Sequence, residues 1–436
     1  MERSHYLITF PCKDSPDSLI VFSTKRISKI RIPREIFKRL ERGEVSPADE
    51  TLLSGLGMLV SDVEDEKSTI RNMFARSNAG NPELTVIVIL NLDCNFSCLY
   101  CYEGAPGADR YMSGQTANQL IAFIKRNFTP EKKSLILDFY GGEPLLSLGL
   151  IKYIAKAVKP IAEARNAEFF FTLVTNGSLF KRAVAKRLVA LGLKSLKITL
   201  DGPAENHNRY RPFKSGAGSF DTLIKNIKES CDLVKIVIGG NYDRNSWPRF
   251  TSLLDFLETA GLTPDLLYMV KFDPILRPVH HPHLLAKYHG GCASGHEPWI
   301  LEAEGVLRRE ILKRGYSTPK VRPMMCAIEN KGTYVVNFDG KLYKCPAFAG
   351  YEKFAIGDVN GEPRNYDTIY RLGHWKNEEC LDCVYLPLCF GGCRYISFLK
   401  EGAINTVDCK RPYFDAALET LVNQEIEFSN PGTNKS

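Results

Sequence analysis

Three cysteines lie within eight residues at the end of an apolar stretch, at Cys94, Cys98 and Cys101. The preceding residues, 84–90, are continuously apolar or β-branched. Such a run predicts a strand that is buried on both faces, as in a parallel sheet. The three thiols therefore follow the C-terminal end of a buried strand, which is where α/β barrels build their active sites.

Three thiolates this close together favour a soft metal centre. A 4Fe-4S cluster normally takes four cysteines, so three would leave one iron open to another ligand. The cysteines are separated by three and then two residues, which is not a zinc-finger spacing, and an odd number cannot pair locally as disulfides. The remaining alternative is a chance cluster of buried free cysteines.

From residue 84 onward, strand patterns alternate with helix patterns. The predicted strands are 84–91, 135–140, 168–174, 195–200, 233–239 and 266–271, and the predicted helices between them are 114–127, 148–164, 180–191, 218–230 and 247–260. Alternation of this kind predicts βαβ units around a parallel sheet. We therefore expect an α/β fold over this part of the chain.

Residues 1–78 are predicted to form a small separate unit. Its predicted elements are strands 6–10 and 19–23, a turn at 13–16, helices 34–42 and 47–56, a short strand 58–60 and a charged helical linker 61–78. Strands followed by helices in a unit of this size indicate a winged-helix-like module. Order without a motif is weak evidence for a role, so the module could simply pack on the following domain.

Composition is that of an ordinary soluble globular protein. Of the 436 residues, 44% are hydrophobic and 25% are charged, and the net charge of +7 is spread along the chain. The positive net charge hints mildly at an acidic partner. The sequence has no basic tail and no arginine–aromatic patch, so nucleic-acid binding is not predicted. No apolar segment is long enough for a signal peptide or a membrane span. We therefore expect a cytoplasmic protein, in which thirteen cysteines indicate metal binding or catalysis.

The pattern C-x3-C-x-aromatic-C after a strand resembles the signature of radical S-adenosylmethionine (SAM) enzymes. The resemblance implies that Cys94, Cys98 and Cys101 hold a 4Fe-4S cluster whose open iron binds the amino and carboxylate groups of SAM. It implies that Tyr100 matches the residue whose backbone contacts the adenine. It also implies a partial (β/α)6 TIM-type barrel, in which an electron from the cluster cleaves SAM to a 5′-deoxyadenosyl radical.

Turns at the ends of the predicted strands extend this resemblance. The second strand ends in Gly141-Gly142-Glu143-Pro144, similar to the family turn that contacts the SAM amino group. The third and fourth strands end in 175–178 and 199–203, and Arg211 follows as a candidate clamp on the SAM carboxylate. The residues expected to contact SAM are Tyr100, Gly141, Gly142, Glu143, Asn176, Thr199 and Arg211. The alternative for each is turn chemistry or a surface ion pair.

Seven cysteines near the C-terminal end resemble a SPASM domain, which carries auxiliary iron-sulfur clusters. They flank and follow a predicted hairpin around Asp339-Gly340. By resemblance, the first auxiliary 4Fe-4S cluster is held by Cys326, Cys345 and Cys393, and the second by Cys380, Cys383, Cys389 and Cys409. The alternative is a zinc ribbon that joins the pair Cys380/Cys383 to the pair Cys389/Cys393, which leaves the other three cysteines without a role.

Two fully ligated auxiliary clusters need about eight thiolates, so one ligand is missing from the seven. The cysteines left over are Cys12, Cys231 and Cys292. Cys292 lies on a Gly-rich stretch between the barrel and the hairpin, and is the candidate eighth ligand; an open iron is the alternative. Five histidines near it could form a zinc site or a polar loop: His280, His281, His283, His289 and His296.

The expected domains are a peptide-recognition-like module at 1–78, the radical SAM partial barrel at 79–300, the SPASM domain at 301–415, and a helix and tail at 416–436. Enzymes with these parts mostly modify peptides, and the order of the parts resembles geopeptide-type maturases. The resemblance implies three 4Fe-4S clusters, SAM, a ribosomally made precursor peptide recognised through the N-terminal module, and a reductant such as flavodoxin or ferredoxin. No catalytic residue is assigned.

Two other functions compete with this one. A formylglycine-forming, anaerobic sulfatase-type maturase carries an Asp after the cysteine that matches Cys345, whereas this chain has Pro346. The departure removes the expected general base and argues against that activity. An iron-sulfur electron carrier is the alternative outside enzymes, and the Gly-Gly-Glu-Pro turn argues against it because a carrier needs no site for the SAM amino group.

Overall fold

The fold combines a three-stranded sheet near the N-terminus with a nine-stranded sheet, in a computed structural model that describes residues 1–101, 110–276, 291–292, 297–364 and 366–429. The N-terminal elements are β1 (Glu2–Arg3), β2 (Leu7–Pro11), β3 (Ser18–Ser23), β4 (Lys29–Pro33), α1 (Arg34–Glu41), α2 (Pro47–Gly55), β5 (Leu59–Val60), α3 (Val63–Arg71) and α4 (Met73–Ala79). Strands β2, β3 and β4 are antiparallel neighbours in that order, and β1 pairs with β5.

Local sequence explains most of these N-terminal elements. Helix α2 begins where the Ser46 side chain accepts from the Asp49 amide at 3.2 Å, with Pro47 at the first helical position. Helix α1 buries Phe37 and Leu40 on one face. The predicted strands and helices are confirmed within one or two residues, but β1 and β4 were not predicted. Strand β1 has only two residues, and the five residues of β4 mix cationic and apolar side chains.

Six consecutive parallel strands form one side of the nine-stranded sheet. In chain order the elements are β6 (Glu83–Ile89), α5 (Gly114–Asn127), β7 (Ser134–Tyr140), α6 (Leu148–Glu163), β8 (Glu168–Thr175), α7 (Arg182–Ala190), β9 (Leu193–Thr199), α8 (Ala204–Tyr210), α9 (Phe220–Lys228), β10 (Lys235–Tyr242), α10 (Phe250–Thr259) and β11 (Met269–Pro274). Each strand pairs in parallel with the next. The predicted βαβ alternation is confirmed. Among the described strands β11 lies at the sheet edge, so the barrel is partial.

The two faces of these strands differ in polarity. In β7, Leu135, Leu137 and Phe139 are buried in the core, whereas Asp138 and Tyr140 alternate with them on the inner face of the barrel. The same period of two places Leu196 and Ile198 of β9 in the core and the residues between them inside the barrel. The outer face packs against the helices, and the inner face carries both polar and apolar side chains.

The C-terminal part extends the same sheet. Its elements are α11 (Pro298–Lys313), β12 (Thr333–Val336), β13 (Lys341–Tyr343), β14 (Gly357–Asp358), α12 (Tyr366–Tyr370), α13 (Glu378–Leu381), α14 (Leu386–Cys389), α15 (Arg394–Glu401) and α16 (Arg411–Glu427). The predicted hairpin is confirmed as β12 and β13, and Gly340 adopts a φ of 85° in its turn. Strand β12 also pairs in parallel with β6, which the sequence did not predict.

The N-terminal sheet packs against the C-terminal part of the chain. Phe10, Ile20 and Phe22 share a core with Leu388 and Leu418. A second shared core contains, from the two regions, Tyr6, Ile70, Phe74, Trp375, Leu386 and Phe390. The N-terminal module is therefore held mainly by the region that contains the last cysteines.

No helix in the described part of the chain combines the length and the apolar character that crossing a membrane would require.

Candidate metal and cofactor site

The Cys94–Cys101 loop leaves the C-terminal end of β6 and is fixed by the segment after α8. The Leu99 amide donates to the Tyr210 carbonyl at 3.0 Å, and the Ser97 amide donates to the Pro212 carbonyl at 2.9 Å. Phe96 is buried and packs edge-to-face on Phe213. These contacts place the three predicted thiols at the barrel mouth, as the sequence predicted.

Burial shifts the pKa of two of the three thiols, Cys94 and Cys98. Burial raises the pKa of Cys94 to about 11, and its sulfur accepts from the Phe96 amide at 3.4 Å. Burial also raises the pKa of Cys98, while the positive charge of Arg211 acts in the opposite direction. Burial therefore disfavours the thiolate form of both cysteines. A metal centre bound to the sulfurs would favour that form, because metal ligation deprotonates a thiol.

The Gly-Gly turn after β7 is in direct backbone contact with the cysteine loop. The Gly142 amide donates to the Asn91 carbonyl at 3.0 Å, and the Glu143 amide donates to the Asp93 carbonyl at 2.8 Å. A Cβ on Gly142 would lie 2.3 Å from the Asp93 oxygen, which real structures do not allow. The glycines therefore permit a close approach between this turn and the cysteine loop, whereas their expected approach to SAM stays a prediction.

Glu143 is fully buried, and its carboxylate is turned into the fold. It accepts from the Leu145 amide at 3.0 Å, the Thr175 hydroxyl at 2.7 Å and the Asn176 amide at 2.7 Å. Burial raises the pKa of Glu143 and these hydrogen bonds oppose that rise. The carboxylate thus joins the turns after β7 and β8. Contact with a SAM amino group stays a prediction for this turn.

A buried polar network surrounds the Tyr100 hydroxyl. Arg211 donates to it at 2.7 Å, Asn241 donates to it at 3.0 Å, and it donates to the Asp201 carboxylate. Asp201 also accepts from the Asn241 amide at 2.7 Å. Burial raises the pKa of Asp201, and the Arg211 charge opposes that rise. The network links the cysteine loop to the ends of β9 and β10.

Arg211 carries an unused donor in this network. Its Nε is buried and has no hydrogen-bond partner among the described residues. A buried guanidinium with an unsatisfied donor is costly unless an acceptor is supplied. An anionic ligand beside Cys98 would supply one, so the residues present fit a carboxylate at this point, and the predicted clamp remains open as a proposal.

The other predicted SAM contacts lie near the same mouth. Asn176 donates to Asn95 at 2.8 Å and its Nδ2 lies 3.6 Å from the Cys94 sulfur. Thr199 is buried at the end of β9. Asp201 and Asn241 were not assigned to the site from the sequence. Their positions could have indicated it, because polar residues at the C-terminal ends of barrel strands face the barrel mouth. Asp201 lies two residues past the end of β9, and Asn241 is the penultimate residue of β10.

Cys326, Cys345 and Cys393 lie close enough to influence one another. Burial raises the pKa of Cys345 to about 12, and the charges of the other two thiols add to the rise. Burial also raises the pKa of Cys326, and the positive charge of the buried Arg394 opposes that rise. Arg394 itself is paired with the buried Glu329. The structure thus brings together the three cysteines predicted for the first auxiliary cluster.

Four cysteines line a cavity of about 830 Å³: Cys380, Cys383, Cys389 and Cys409. They are the set predicted for the second auxiliary cluster. Arg411 also lines the cavity, and its pKa is raised by a hydrogen bond to Cys383. Within the described ranges, no three His, Cys, Asp or Glu side chains lie close enough to share one metal ion. A four-iron cluster holds its cysteines farther apart than a single ion does, so this finding does not count against a cluster.

Cys292 is buried beside the end of β11. Its thiol donates to the Ile275 carbonyl at 3.3 Å. Burial raises its pKa to about 12, and the charged side chains that act on it are Glu297, Glu304 and Lys400. None of these belongs to the Cys326 set, so its ligand role stays a prediction. The five histidines considered with it lie outside the described residues.

Residues 88–245 match the model of the Radical SAM superfamily. The chain therefore contains a radical SAM domain, a class whose members use a 4Fe-4S cluster and SAM. Among curated proteins it is similar to the cysteine-type anaerobic sulfatase-maturating enzyme of Clostridium novyi, 22% identical over 69% of this chain and 85% of that one. It is also similar to the radical SAM cyclopropyl synthase TigE of Paramaledivibacter caminithermalis, 20% identical over 80% of this chain and 75% of that one.

Solved structures show the same fold at low sequence identity. Native anSMEcpe with bound AdoMet and the Kp18Cys peptide superimposes with a TM-score of 0.64, at 19% identity over 79% of this chain and 100% of that chain. Streptococcus suis SuiB bound to the precursor peptide SuiA gives a TM-score of 0.54, at 15% identity over 94% of this chain and 98% of that chain. The second comparison extends over nearly the whole chain.

Proposed function

We propose that the protein is a radical SAM maturase that modifies a residue of a ribosomally made precursor peptide. The observation that carries the proposal is the joint placement of the Cys94, Cys98 and Cys101 loop, the Gly-Gly turn and the Arg211 network at one barrel mouth. When bound, the cluster on the three cysteines supplies the electron that cleaves SAM reductively.

The residues around the proposed cluster have separate roles. Arg211 offers its unpaired Nε to the SAM carboxylate, and Asp201 holds Tyr100 and Arg211 in position. Glu143 fixes the turn against β8, so that backbone groups of the turn face the ligand. These groups orient SAM and exclude water from it, which is the part of the chemistry that the protein supplies.

We infer that the seven C-terminal cysteines hold two auxiliary 4Fe-4S clusters that pass or accept electrons. Support comes from the cavity lined by the second set and the mutual influence of the thiols of the first set. A reductant such as flavodoxin or ferredoxin would deliver electrons to the protein. Whether Cys292 completes the first cluster is decided by spectra of the Cys292→Ala variant.

The peptide substrate is inferred from relatives and from the N-terminal module. Two of the similar structures contain bound peptides, the Kp18Cys peptide and the precursor peptide SuiA. In the module, β4 is an edge strand of the three-stranded sheet, and such an edge can add an extended peptide as a further strand. We therefore assign recognition of the leader part of the precursor to this module.

A sulfatase-type maturase is the second candidate, since several similar curated proteins carry that name. Against it stands Pro346, the first residue of a short 3-10 helix, at the position where that branch has a carboxylate. The nature of the modification follows from mass analysis. We expect a crosslinking maturase to lower the mass of a precursor peptide encoded beside its gene by about two hydrogens, without conversion of a sulfatase peptide to formylglycine. Formylglycine formation instead would favour the second candidate.

A further inference from the structure

A charged cluster lies on the inner face of the barrel, outside the residues assigned above. It consists of Lys197 on β9 and of Lys271 and Asp273 on β11. Their neighbours Leu196, Ile198, Val270 and Phe272 are buried in the core. Because side chains alternate along a strand, the three charged residues face the barrel interior.

Glycine at position 239 allows this cluster to form across β10. Lys271 lies 2.8 Å from Asp273, and Lys197 reaches to 4.0 Å from the same carboxylate. A Cβ on Gly239 would lie 2.2 Å from the Cε of Lys197. The Lys197 side chain therefore passes over the glycine, from β9 towards β11.

The cluster contains two lysines and one carboxylate, so one positive charge is not neutralised within it. At 4.0 Å the contact between Lys197 and Asp273 is too long for a hydrogen bond, and no other acceptor for the Lys197 amine is found among the described residues. The Lys197 side chain as a whole is 36% exposed. Burial lowers the pKa of Lys197; the Asp273 carboxylate opposes this effect, and the charges of Lys271 and Arg211 add to it. An anion placed between the two lysines would relieve this repulsion.

The cluster borders the candidate SAM site. Asp273 pairs in register with Asn241, which donates to Tyr100. Thr199 follows Lys197 by two residues, so it lies on the same face of β9. A group bound between the lysines would therefore lie inside the barrel, next to the Tyr100 network.

We propose that Lys197 and Lys271 bind the carboxylate of an Asp or Glu side chain of the substrate peptide and so position the peptide inside the barrel. The inference rests on the proposed function, which it deepens by naming the chemistry of the substrate. Asp273 keeps Lys271 in place, and Gly239 gives Lys197 its path. The same carboxylate chemistry could come from SAM itself, and the experiment separates the two sources.

The test uses reconstituted full-length protein with SAM and two probes, N-acetyl-aspartic acid N-methylamide and its asparagine counterpart, in saturation-transfer NMR. We expect the acidic probe to bind about tenfold more tightly than the amide, since a charge-assisted hydrogen bond replaces a neutral one. Lys197→Met and Lys271→Met should each remove this preference. The matched control is Lys194→Met, which changes a lysine at the other end of β9 that pairs with Glu168 and should keep the preference.

Equal binding of the two probes by the wild-type protein would overturn the inference. So would a Lys197→Met protein that loses SAM affinity in a titration, because the anion would then be the SAM carboxylate. If Lys197→Met does not fold, Lys271→Met decides, since that side chain is 45% exposed. Because binding is read without turnover, a protein that prefers the acidic probe but never cleaves SAM would contradict only the proposed function.

Discussion

At the scale of single residues, the partly buried carboxylate of Asp138 links the stability of the fold to pH. Asp138 lies on the inner face of β7 and accepts from the Thr172 hydroxyl at 2.7 Å. Burial raises its pKa against the effect of that hydrogen bond. The folded state therefore holds the proton more tightly than the unfolded state, and the stability that this group contributes falls as the pH rises between the two pKa values.

We expect Asp138→Asn to stabilise the protein increasingly as the pH rises. The amide keeps an acceptor for Thr172 and cannot ionise, so it avoids the cost of a buried charge. The measurement is the Tm of variant and wild type from about pH 3, below the ordinary pKa of Asp, to about pH 8. The difference should grow from the ordinary pKa of Asp up to the raised one and then stay constant. A difference that shrinks as the pH rises would contradict the assigned direction of the shift.

At the scale of elements, the joint between the Gly-Gly turn and the cysteine loop determines whether the site forms. Gly142→Ala places a methyl group 2.3 Å from the Asp93 carbonyl, so one of the two backbones must move. We expect this variant to lose the iron of the cluster on Cys94, Cys98 and Cys101, about four per chain, with a lower Tm. Gly149→Ala is the matched control, because a Cβ there meets nothing within 4 Å. Equal iron content in the two variants would refute the proposed coupling.

The elements were largely predictable from sequence because their signals are local. Helix α5 has the predicted bounds, and Ser113 caps it by accepting from the Thr116 amide at 3.0 Å. The pairing of β12 with β6 was not predictable, since it joins segments about 250 residues apart with no periodic signal between them. The partners of Tyr100 were missed for the same reason: Asp201 and Asn241 meet it only after the barrel forms.

At the scale of the whole molecule, the N-terminal module and the last cysteines share a core. Phe22 packs in the cluster that includes Cys383 and Cys389, whereas Phe37 packs in a core made by the module alone. Lys67 of the module also pairs with Asp382 at 2.8 Å. The loop that carries the second set of cysteines therefore depends on the module for support, although the two are far apart in sequence.

We expect Phe22→Ala to lower the iron content of the second auxiliary cluster. The cavity should cost about 3–5 kcal/mol and loosen the cysteine loop. Phe37→Ala opens a cavity of the same kind inside the module and should lower stability without loss of iron. Both variants are made in a protein in which Cys94, Cys98 and Cys101 are already replaced by alanine. Iron analysis then reports only the auxiliary clusters. Full iron retention in Phe22→Ala would mean that the module does not support them.

The central claim is that Cys94, Cys98 and Cys101 hold the cluster that binds and cleaves SAM. Its most direct test is the anaerobic formation of 5′-deoxyadenosine by reconstituted protein with a reductant, measured by chromatography. We expect product from the wild type and none from the triple alanine variant, which should still retain about eight iron per chain on the auxiliary cysteines. Equal amounts of 5′-deoxyadenosine from the two proteins would mean that these three cysteines do not hold the SAM-cleaving cluster.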